Sequence, residues 1–545
     1  MRPLLVLDVV GLTPKLLPHA PNLAALARRG QMRPLATVTP AVTCTVQSTF
    51  TTGLMPSGHG CVGNGWYFRD LSEIWLWRQS NRLVQGEKIW DTAKKRDPAF
   101  TVAKLFWWYN MYASVDYAVT PRPQYPADGR KLPDVHTHPG ELRDELGAKL
   151  GAFPLFNFWG PRADLTCSRW ITEAALQVME DKKPTLTLVY LPHLDYDLQR
   201  HGPDFPGVAA QVAAVDELCG RLIEAAEKRG AAVITLSEYG ITQVSGPIHI
   251  NRALREAKLL AIRQEQMGEQ LDPGASEAFA VADHQVAHVY VKRPERVPEV
   301  AALLQKLDGV EHVWHGPDLR MHGLEHERSG EIVVVARADR WFTYYFWLDD
   351  DRAPDYARTV DIHRKPGYDP VELFIDPKLT LPGLKVAMTL AKRKLGFRSL
   401  LDVIPLDASL VKGSHGRVTE DPQEGPVFIT SEPELLPEGE NLRAIEVKNV
   451  ILKHIFSAQA KDRHVAAPSP EKTGVVVATG SSTPARANPP AAGGGVAPES
   501  KSGRADAVES QKSSREPAGR SDPAKKQRSA KRSNRGKKAP SDKRG

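Results

Sequence analysis

Short apolar runs, each followed closely by an acidic side chain, are the feature that most constrains how this chain folds. Residues 4–7 precede Asp8, residues 186–191 precede Asp197, and residues 232–236 precede Glu238. Runs this short and this apolar are typical of parallel strands buried on both faces. Open α/β sheets gather their functional groups at the carboxyl ends of such strands. The sequence therefore predicts an α/β fold with a mainly parallel central sheet and a polar site along one edge.

Helical patterns lie between and around these runs. Residues 207–229 carry apolar side chains at helical spacing between the second and third runs, which predicts a βαβ unit. Residues 288–315 read as strand, helix and strand, and we expect a small α/β subdomain at about 286–350. The aromatic-rich region 66–170 holds eight of the eleven tryptophans. We interpret it as an insertion that covers the site.

The basic charge of the chain is concentrated at one end. Residues 461–545 contain 19 Lys and Arg against 8 Asp and Glu, so they carry +11, whereas the first 460 residues carry −4. From residue 457 the composition is rich in Ala, Pro, Ser, Gly, Lys and Arg, which predicts a disordered tail at 457–545 after a folded domain at 1–456. Such a tail suits contact with nucleic acid or an anionic surface, or it is a solvated extension.

The cysteine content and the hydropathy of the chain indicate its cellular compartment. The four cysteines form no Cys-x-x-Cys pair, which argues against a disulfide scaffold and a structural zinc knuckle. No apolar stretch reaches the ~18 residues that a membrane span requires. We expect a cytoplasmic protein without a transmembrane segment.

Acidic and imidazole side chains recur after the predicted strands. Asp197 and His201 stand four residues apart, which places them on one face of a helical turn. His363 and His415 each lie in a loop that contains glycine. Any one of these residues has an ordinary explanation as a cap or an ion-pair partner. Together with Asp8 and Glu238 they are costly to bury unless a cation or a catalytic role holds them.

Thr43 is the candidate nucleophile. It precedes a helical pattern, where a hydroxyl is favoured as a plain N-cap but is also well placed to attack, since helix amides stabilise anionic charge. Cys44 and Cys61 lie nearby but lack a base at a suitable spacing for thiol chemistry.

The segment from Thr43 to Asn64 carries the most specific motifs. Thr-Gly-Leu-Met-Pro occupies residues 52–56, Ser-Gly-His-Gly occupies 57–60, and Asn64 follows Thr43 by 21 positions. In these motifs, and in their order from residue 4 to about residue 416, the chain resembles the alkaline phosphatase superfamily and, within it, the nucleotide pyrophosphatase/phosphodiesterase branch. The resemblance implies a three-layer α/β/α core with inserted subdomains.

The resemblance also implies a two-metal site. It assigns two divalent ions, Zn²⁺ with Mn²⁺ as the alternative, and catalytic roles for Thr43 and for Asn64 as a phosphate ligand. The implied metal ligands are Asp8, Thr43, Asp197, His201, Glu238, His363 and His415. The chain departs from the family pattern at residues 237–240, where Ser-Glu-Tyr-Gly replaces Ser-Asp-His-Gly. We expect His363 to supply the imidazole that Tyr239 lacks.

The implied activity is a metal-dependent phosphodiesterase or nucleotide pyrophosphatase that passes through a phosphothreonine on Thr43. Its expected substrate is a small phosphate ester, such as a nucleotide. Trp66, Tyr67, Trp107, Trp108 and Tyr109 are candidates for an aromatic substrate wall, or they are the core of the insertion. The alternatives are a phosphonate hydrolase or phosphomonoesterase of the same fold, and a catalytically reduced member that binds a ligand.

Overall fold

A nine-stranded mixed sheet forms the centre of the protein. The computed structural model describes residues 1–127, 130–397 and 399–465, and all of them lie in one unit. The strands are β1 Leu4–Val9, β2 Gln31–Ala36, β3 Gly65–Phe68, β4 Glu73–Leu76, β5 Val102–Leu105, β6 Tyr117–Pro121, β7 Val135–His138, β8 Leu186–Leu191, β9 Ala232–Leu236, β10 Thr242–Gln243, β11 Gly246–Ile248, β12 Ile262–Glu265, β13 Gly268–Leu271, β14 Ala278–Asp283, β15 Val286–Val291, β16 Val310–His315, β17 Ile332–Ala336, β18 Arg340–Phe342, β19 Gly413–Ser414, β20 Val427–Thr430 and β21 Leu442–Arg443.

The order of the central sheet is β21-β2-β20-β9-β1-β8-β5-β6-β7. β1 lies in the middle and pairs in parallel with both β8 and β9, and β5 is parallel to β8 and β6. Every residue of β1, β8 and β9 is buried, as expected for parallel strands covered on both faces. The carboxyl ends of these three strands therefore meet at one edge of the sheet.

Two groups of helices cover the sheet. The α-helices are α1 Pro21–Arg29, α2 Thr43–Thr52, α3 Pro56–His59, α4 Ile89–Arg96, α5 Glu141–Leu150, α6 Leu165–Lys182, α7 His193–His201, α8 Val208–Lys228, α9 Ile250–Glu256, α10 Val297–Leu304, α11 Pro317–Met321, α12 Pro382–Lys394 and α13 Val447–Val465. Helices α1, α6 and α8 pack together in one group, α2, α4 and α13 pack in the other, and α8 and α13 both contact β1. The predicted α/β fold with a mainly parallel central sheet between helical layers is confirmed.

A second, four-stranded antiparallel sheet has the order β14-β15-β17-β16. Its apolar face and α10 share a hydrophobic core separate from that of the main sheet. The turn between β14 and β15 directs His284 toward the central sheet, and the Gln285 amide N–H donates to the His415 carbonyl at 2.8 Å. His284 has φ +60°, in the left-handed region that non-glycine residues seldom occupy. The second sheet thus adds side chains to the edge where β1, β8 and β9 end.

The predicted domain boundaries differ from the structure in three places. Within the expected insertion at 66–170, β5, β6 and β7 belong to the central sheet, and only the β3–β4 hairpin forms a separate ribbon. Tryptophan-rich composition obscured the strands there. The subdomain expected at 286–350 begins earlier, because β14 is its first strand. Helix α13 continues past residue 457, where the tail was expected to begin, and the prediction of disorder at 466–545 lies outside the described residues.

Candidate active site

The strand ends bring two carboxylates and one amide together. Asp8 lies in β1, Glu238 follows the end of the adjacent strand β9, and both side chains are fully buried. The Gln47 side-chain amide donates to Asp8 Oδ2 at 3.1 Å and to Glu238 Oε1 at 2.6 Å, and its own oxygen accepts the Trp108 backbone N–H at 2.7 Å. Burial and the neighbouring Glu238 raise the pKa of Asp8, and burial raises the pKa of Glu238 to about 7. Among the described residues, Asp8 Oδ1 and Glu238 Oε2 have no hydrogen-bond partner.

Thr43 opens α2 beside this pair. It is the first residue of the helix, after Val42, and its hydroxyl does not cap the helix. Thr43 Oγ1 lies 3.1 Å from the Tyr239 hydroxyl. It is also close enough to Glu238 to offset part of the rise in pKa that burial causes in that carboxyl group. The Thr45 hydroxyl, two positions further on, is buried and has no hydrogen-bond partner in the part of the chain that the structure describes. The geometry places Thr43, rather than Thr45, beside the carboxylates.

Asn64 lies at the same helix end. Its Oδ1 accepts the Cys44 backbone N–H at 3.0 Å, while Asp283 accepts from the Asn64 backbone N–H at 2.7 Å and from its side-chain amide at 3.0 Å. Burial raises the pKa of Asp283 to about 7. We expected the Asn64 side chain to bind a phosphoryl group, and the backbone N–H after Thr43 is another donor at this helix end. In the structure these two groups bind each other.

Asp195 of α7, and not Asp197, lies near Glu238. The side chains of Asp8, Glu238 and Asp195 form the carboxylate cluster. Asp195 accepts from Gln199 Nε2 at 2.7 Å and from the Tyr239 hydroxyl at 3.4 Å. Burial, followed by the charge of Glu238, raises the pKa of Asp195 to about 7. His415 Nε2 lies 3.8 Å from Asp195 Oδ1.

Aromatic rings enclose His415. The Tyr239 ring is parallel to the His415 imidazole, with centroids 3.5 Å apart and an interplanar angle of 5°. His284 lies 3.6 Å away from the same imidazole and 3.7 Å from Tyr368. His415 Nδ1 is hydrogen-bonded to the Ala41 carbonyl at 2.8 Å, and burial lowers the pKa of His415 to about 3. His415 is therefore neutral, with Nε2 directed toward Asp195.

Three predicted metal ligands lie elsewhere. Asp197 accepts from Arg200 at 2.8 Å, and His201 packs against Phe205. Asp197 and His201 line a surface cavity of about 570 Å³. His363 is exposed in its loop, where it interacts with the backbone of Leu76. The structure does not bring these three residues to the carboxylate cluster.

The position that Asp197 and His201 were expected to occupy is held by Asp195 and Gln199. Both pairs are four residues apart on α7, so spacing alone does not distinguish them, whereas residues two apart point to different faces of a helix. Asp283 and His284 were also missed, although they follow the apolar run 278–282 as the other candidates follow theirs.

The donors present do not fit a pair of zinc ions. Zinc sites in proteins use imidazole and thiolate as well as carboxylate ligands, and among the described residues no group of three or more His, Cys, Asp or Glu is placed to hold a metal ion. Gln199 and Tyr239 donate hydrogen bonds to Asp195, so the lone pairs that one of the ions would need are already occupied. The unpartnered oxygens of Asp8 and Glu238 remain, and together with Thr43 Oγ1 they form an all-oxygen set that suits one hard cation.

An aromatic wall adjoins the cluster. Trp77 is half-buried, and its ring lies 4.8 Å from that of Trp108 and 5.9 Å from that of Tyr368. The Trp77 backbone N–H donates to the Asn64 backbone carbonyl at 2.9 Å, and the Trp77 φ of +60° is unusual for a bulky residue. Of the expected wall residues, Trp107 is part of the main core, whereas Trp66, Trp108 and Tyr109 pack in a small cluster with Cys44.

Residues 4–369 match the family described as type I phosphodiesterase / nucleotide pyrophosphatase. The chain belongs to this family. The resemblance drawn from the sequence is thereby confirmed, and so is the enzyme class, since the family comprises hydrolases of phosphoric ester or anhydride bonds.

A curated relative matches part of the chain. An uncharacterised pyrophosphatase/phosphodiesterase of Schizosaccharomyces pombe is 27% identical over 236 residues, which are 41% of this chain and 41% of that protein. The match thus spans less than half of the length of that relative.

Two solved structures have a similar fold. Phosphonoacetate hydrolase from Sinorhizobium meliloti 1021, in complex with phosphonoformate, is 15% identical with a TM-score of 0.53, over 83% of this chain and 96% of that one. An inactive variant of murine ectonucleotide pyrophosphatase / phosphodiesterase 5, in complex with AMP, is 15% identical with a TM-score of 0.51, over 84% and 95%. At these identities the similarity supports the fold.

Proposed function

We propose that this protein hydrolyses a small phosphodiester or nucleotide pyrophosphate and that Thr43 is its nucleophile. The observation that carries the proposal is the position of the Thr43 hydroxyl, at the first residue of α2 and beside Glu238 and Tyr239. Attack of Thr43 Oγ1 on phosphorus would expel one alcohol or phosphate leaving group and leave a phosphothreonine ester that keeps the other organic group of the substrate on phosphorus, so that its hydrolysis releases a phosphomonoester. Water would then hydrolyse that ester and regenerate the threonine.

Side chains around Thr43 would assist both steps. Glu238 lies where it can accept the hydroxyl proton as the new bond forms. The N-terminus of α2 would stabilise the anionic phosphoryl group. The Asn64 side-chain amide has two N–H groups, and because Asp283 accepts from one of them, the other is available to a phosphoryl oxygen.

The metal requirement that we propose is one divalent cation of the Mg²⁺ or Mn²⁺ class, instead of the two zinc ions expected from the family resemblance. Asp8, Glu238 and Thr43 would hold it through oxygen atoms. Such a cation would lower the pKa of the Thr43 hydroxyl and offset the charge of the phosphoryl group. Four buried carboxyl groups support the need for a cation, because the donors of their hydrogen bonds are neutral amides, hydroxyls and a backbone N–H. These groups are Asp8, Asp195, Glu238 and Asp283.

The substrate would carry an aromatic group. Trp77 is partly exposed beside Asn64, so a nucleobase or aryl leaving group could stack on its ring while the phosphoryl group lies at Thr43. The two similar solved structures hold AMP and phosphonoformate. A nucleotide ester is therefore the first class to screen, followed by phosphonates and monoesters.

A ligand-binding protein with reduced catalysis is the second candidate. The specific observation that favours it is the pair Gln199 and Tyr239, whose hydrogen bonds occupy Asp195, and the Tyr239 ring that covers His415. A protein that has lost one cation site would bind a phosphate ester without turning it over.

Steady-state hydrolysis tests the proposal. Bis-p-nitrophenyl phosphate, p-nitrophenyl phosphate and phosphonoacetate are each assayed with Mg²⁺, Mn²⁺ or Zn²⁺, using the native chain, Thr43→Ala and the matched control Thr45→Ala. We expect turnover of the diester with Mg²⁺ or Mn²⁺ that disappears in Thr43→Ala and persists in Thr45→Ala. Equal activity of Thr43→Ala and the native chain would refute the nucleophile. Substrate binding without turnover under every condition would support the second candidate.

Two expectations stay predictions. All four cysteines are free and buried, which supports a reducing, cytoplasmic compartment. The contact of the basic tail with nucleic acid or an anionic surface concerns residues outside the described part of the chain. Among the described residues, no helix has the length and apolar character needed to cross a bilayer.

A further inference from the structure

Exposed apolar side chains concentrate around α12. Of the 17 large hydrophobic side chains that are exposed in the described part of the chain, eight lie between Ile375 and Leu400. Leu395 is 76% exposed, and Phe397, just beyond the helix, is 65% exposed. Monomeric proteins seldom display so many large apolar groups in one short stretch without a partner for them.

Four apolar side chains of α12, and that of Leu395 directly after the helix, lie on the face that points away from the protein. Val386 packs against the second hydrophobic core and Thr389 is buried, which fixes the inner face of the helix. Residues at positions i, i+3, i+4, i+7 and i+11 share one face of a helix. The residues with this spacing are all exposed and apolar: Leu384, Ala387, Met388, Ala391 and Leu395. The outer face of α12 is therefore a continuous apolar stripe.

Positive charge surrounds this stripe. Residues 377–401 contain six Lys and Arg and no Asp or Glu. Lys392 and Lys394 are exposed and, at 100° per residue, lie on opposite sides of the stripe. Lys385 is held at the base of the helix by Asp402, at 2.9 Å. An apolar helical face bordered by lysines is the pattern of helices that lie in the interface of an anionic membrane.

From these observations we propose that α12 docks this protein on an anionic phospholipid surface, with Leu384, Met388 and Leu395 entering the apolar layer and Lys392 and Lys394 contacting headgroups. The 13-residue helix is about 20 Å long, so it lies in the membrane plane. A second copy of the chain is a poorer occupant, because a symmetric contact would bring the two sets of cations together. The basic composition of residues 461–545 would add attraction to the same surface.

Vesicle cosedimentation of the full-length chain tests this proposal. Vesicles contain phosphatidylcholine with about 30% phosphatidylserine, or phosphatidylcholine alone, and binding is measured at about 0.1 and about 0.5 M NaCl. The test variant is the triple substitution Leu384→Ser, Met388→Ser and Leu395→Ser. The matched control is Leu71→Ser, Met267→Ser and Met321→Ser, at side chains of comparable exposure elsewhere.

We expect the native chain and the control variant to bind phosphatidylserine vesicles alike, and the α12 variant to bind at least about tenfold more weakly. Binding that weakens with salt but is equal for all three proteins would assign the interaction to the basic tail and overturn the proposal. A native chain that does not bind vesicles would also overturn it. A concentration-dependent dimer, seen by light scattering and lost only in the α12 variant, would assign the stripe to self-association instead.

Discussion

Replacing Gln47 with leucine tests whether its amide substitutes for a cation between Asp8 and Glu238. Leucine is close to glutamine in volume, so the change removes hydrogen bonds and leaves little cavity. Three are lost, to Asp8 at 3.1 Å, to Glu238 at 2.6 Å and from the Trp108 N–H at 2.7 Å.

The expected cost can be estimated from these three contacts. A hydrogen bond to a charged group contributes about 1.5–3 kcal/mol, and a buried N–H left without an acceptor costs about 1–3 kcal/mol. Burial raises the pKa of Asp8 and of Glu238, which favours neutral carboxyl groups that depend less on charged hydrogen bonds, so the low end of each range applies. We expect Gln47→Leu to lower the free energy of unfolding by about 3–5 kcal/mol in the presence of a chelator.

Denaturant and thermal unfolding with EDTA, and again with Mg²⁺ or Mn²⁺, measure this effect. A cation that binds only the folded state adds stability by mass action, and it would hold the two carboxylates when the amide is absent. The deficit of Gln47→Leu should therefore narrow when the cation is added. The matched control is Gln177→Leu, because the Gln177 amide nitrogen is buried and has no hydrogen-bond partner among the residues that the structure describes. We expect this variant to be as stable as the native chain. Equal stability of Gln47→Leu and the native chain in EDTA, or an equal loss in Gln177→Leu, would refute the reasoning.

Three further predictions concern the surroundings of the cluster. The double substitution Gln199→His and Tyr239→His should add one bound Zn²⁺ per chain by elemental analysis, because it frees Asp195 and supplies imidazole. An unchanged zinc content would contradict the interpretation that Gln199 and Tyr239 prevent zinc from binding at Asp195. Trp77→Ala should raise the KM for aryl or nucleotide esters by about tenfold, the equivalent of about 1.4 kcal/mol of stacking, with kcat unchanged, and an unchanged KM would exclude the aromatic wall. Lys365→Met should lower the unfolding free energy by about 3–5 kcal/mol, because Lys365 is buried between two carboxylates at 2.7 and 2.8 Å; chemical denaturation showing a loss below about 1 kcal/mol would contradict that estimate.

The sequence predicts the central sheet well because the pattern that specifies it is local. Residues 4–7, 186–191 and 232–236 are apolar and short, and each becomes a central strand that carries a site residue at or beyond its end. The strands within 66–170 were missed because they contain aromatic, charged and proline residues and so do not form continuous apolar runs. Their place in the sheet depends on the pairing of β5 with β8, of β6 with β5 and of β7 with β6, which no local pattern contains.

The candidate site was predicted where a strand end or a motif fixes the residue. Asp8, Thr43, Asn64, Glu238 and His415 all come together in the structure. The choice of Asp197 over Asp195 failed for a different reason. On one helix, two pairs of residues with identical spacing point in different directions, and only the packing of α7 against the sheet decides which pair is buried.

The substitutions at the site are coupled rather than independent. Tyr239 stands where the family pattern has an imidazole, and its hydroxyl reaches both Thr43 and Asp195. Gln199 supplies a second donor to Asp195. Each donor takes a lone pair that a cation would use, so restoring one histidine alone leaves Asp195 still hydrogen-bonded. We therefore expect zinc binding to require both changes together, and a single change at either position to leave the metal content as it is in the native chain.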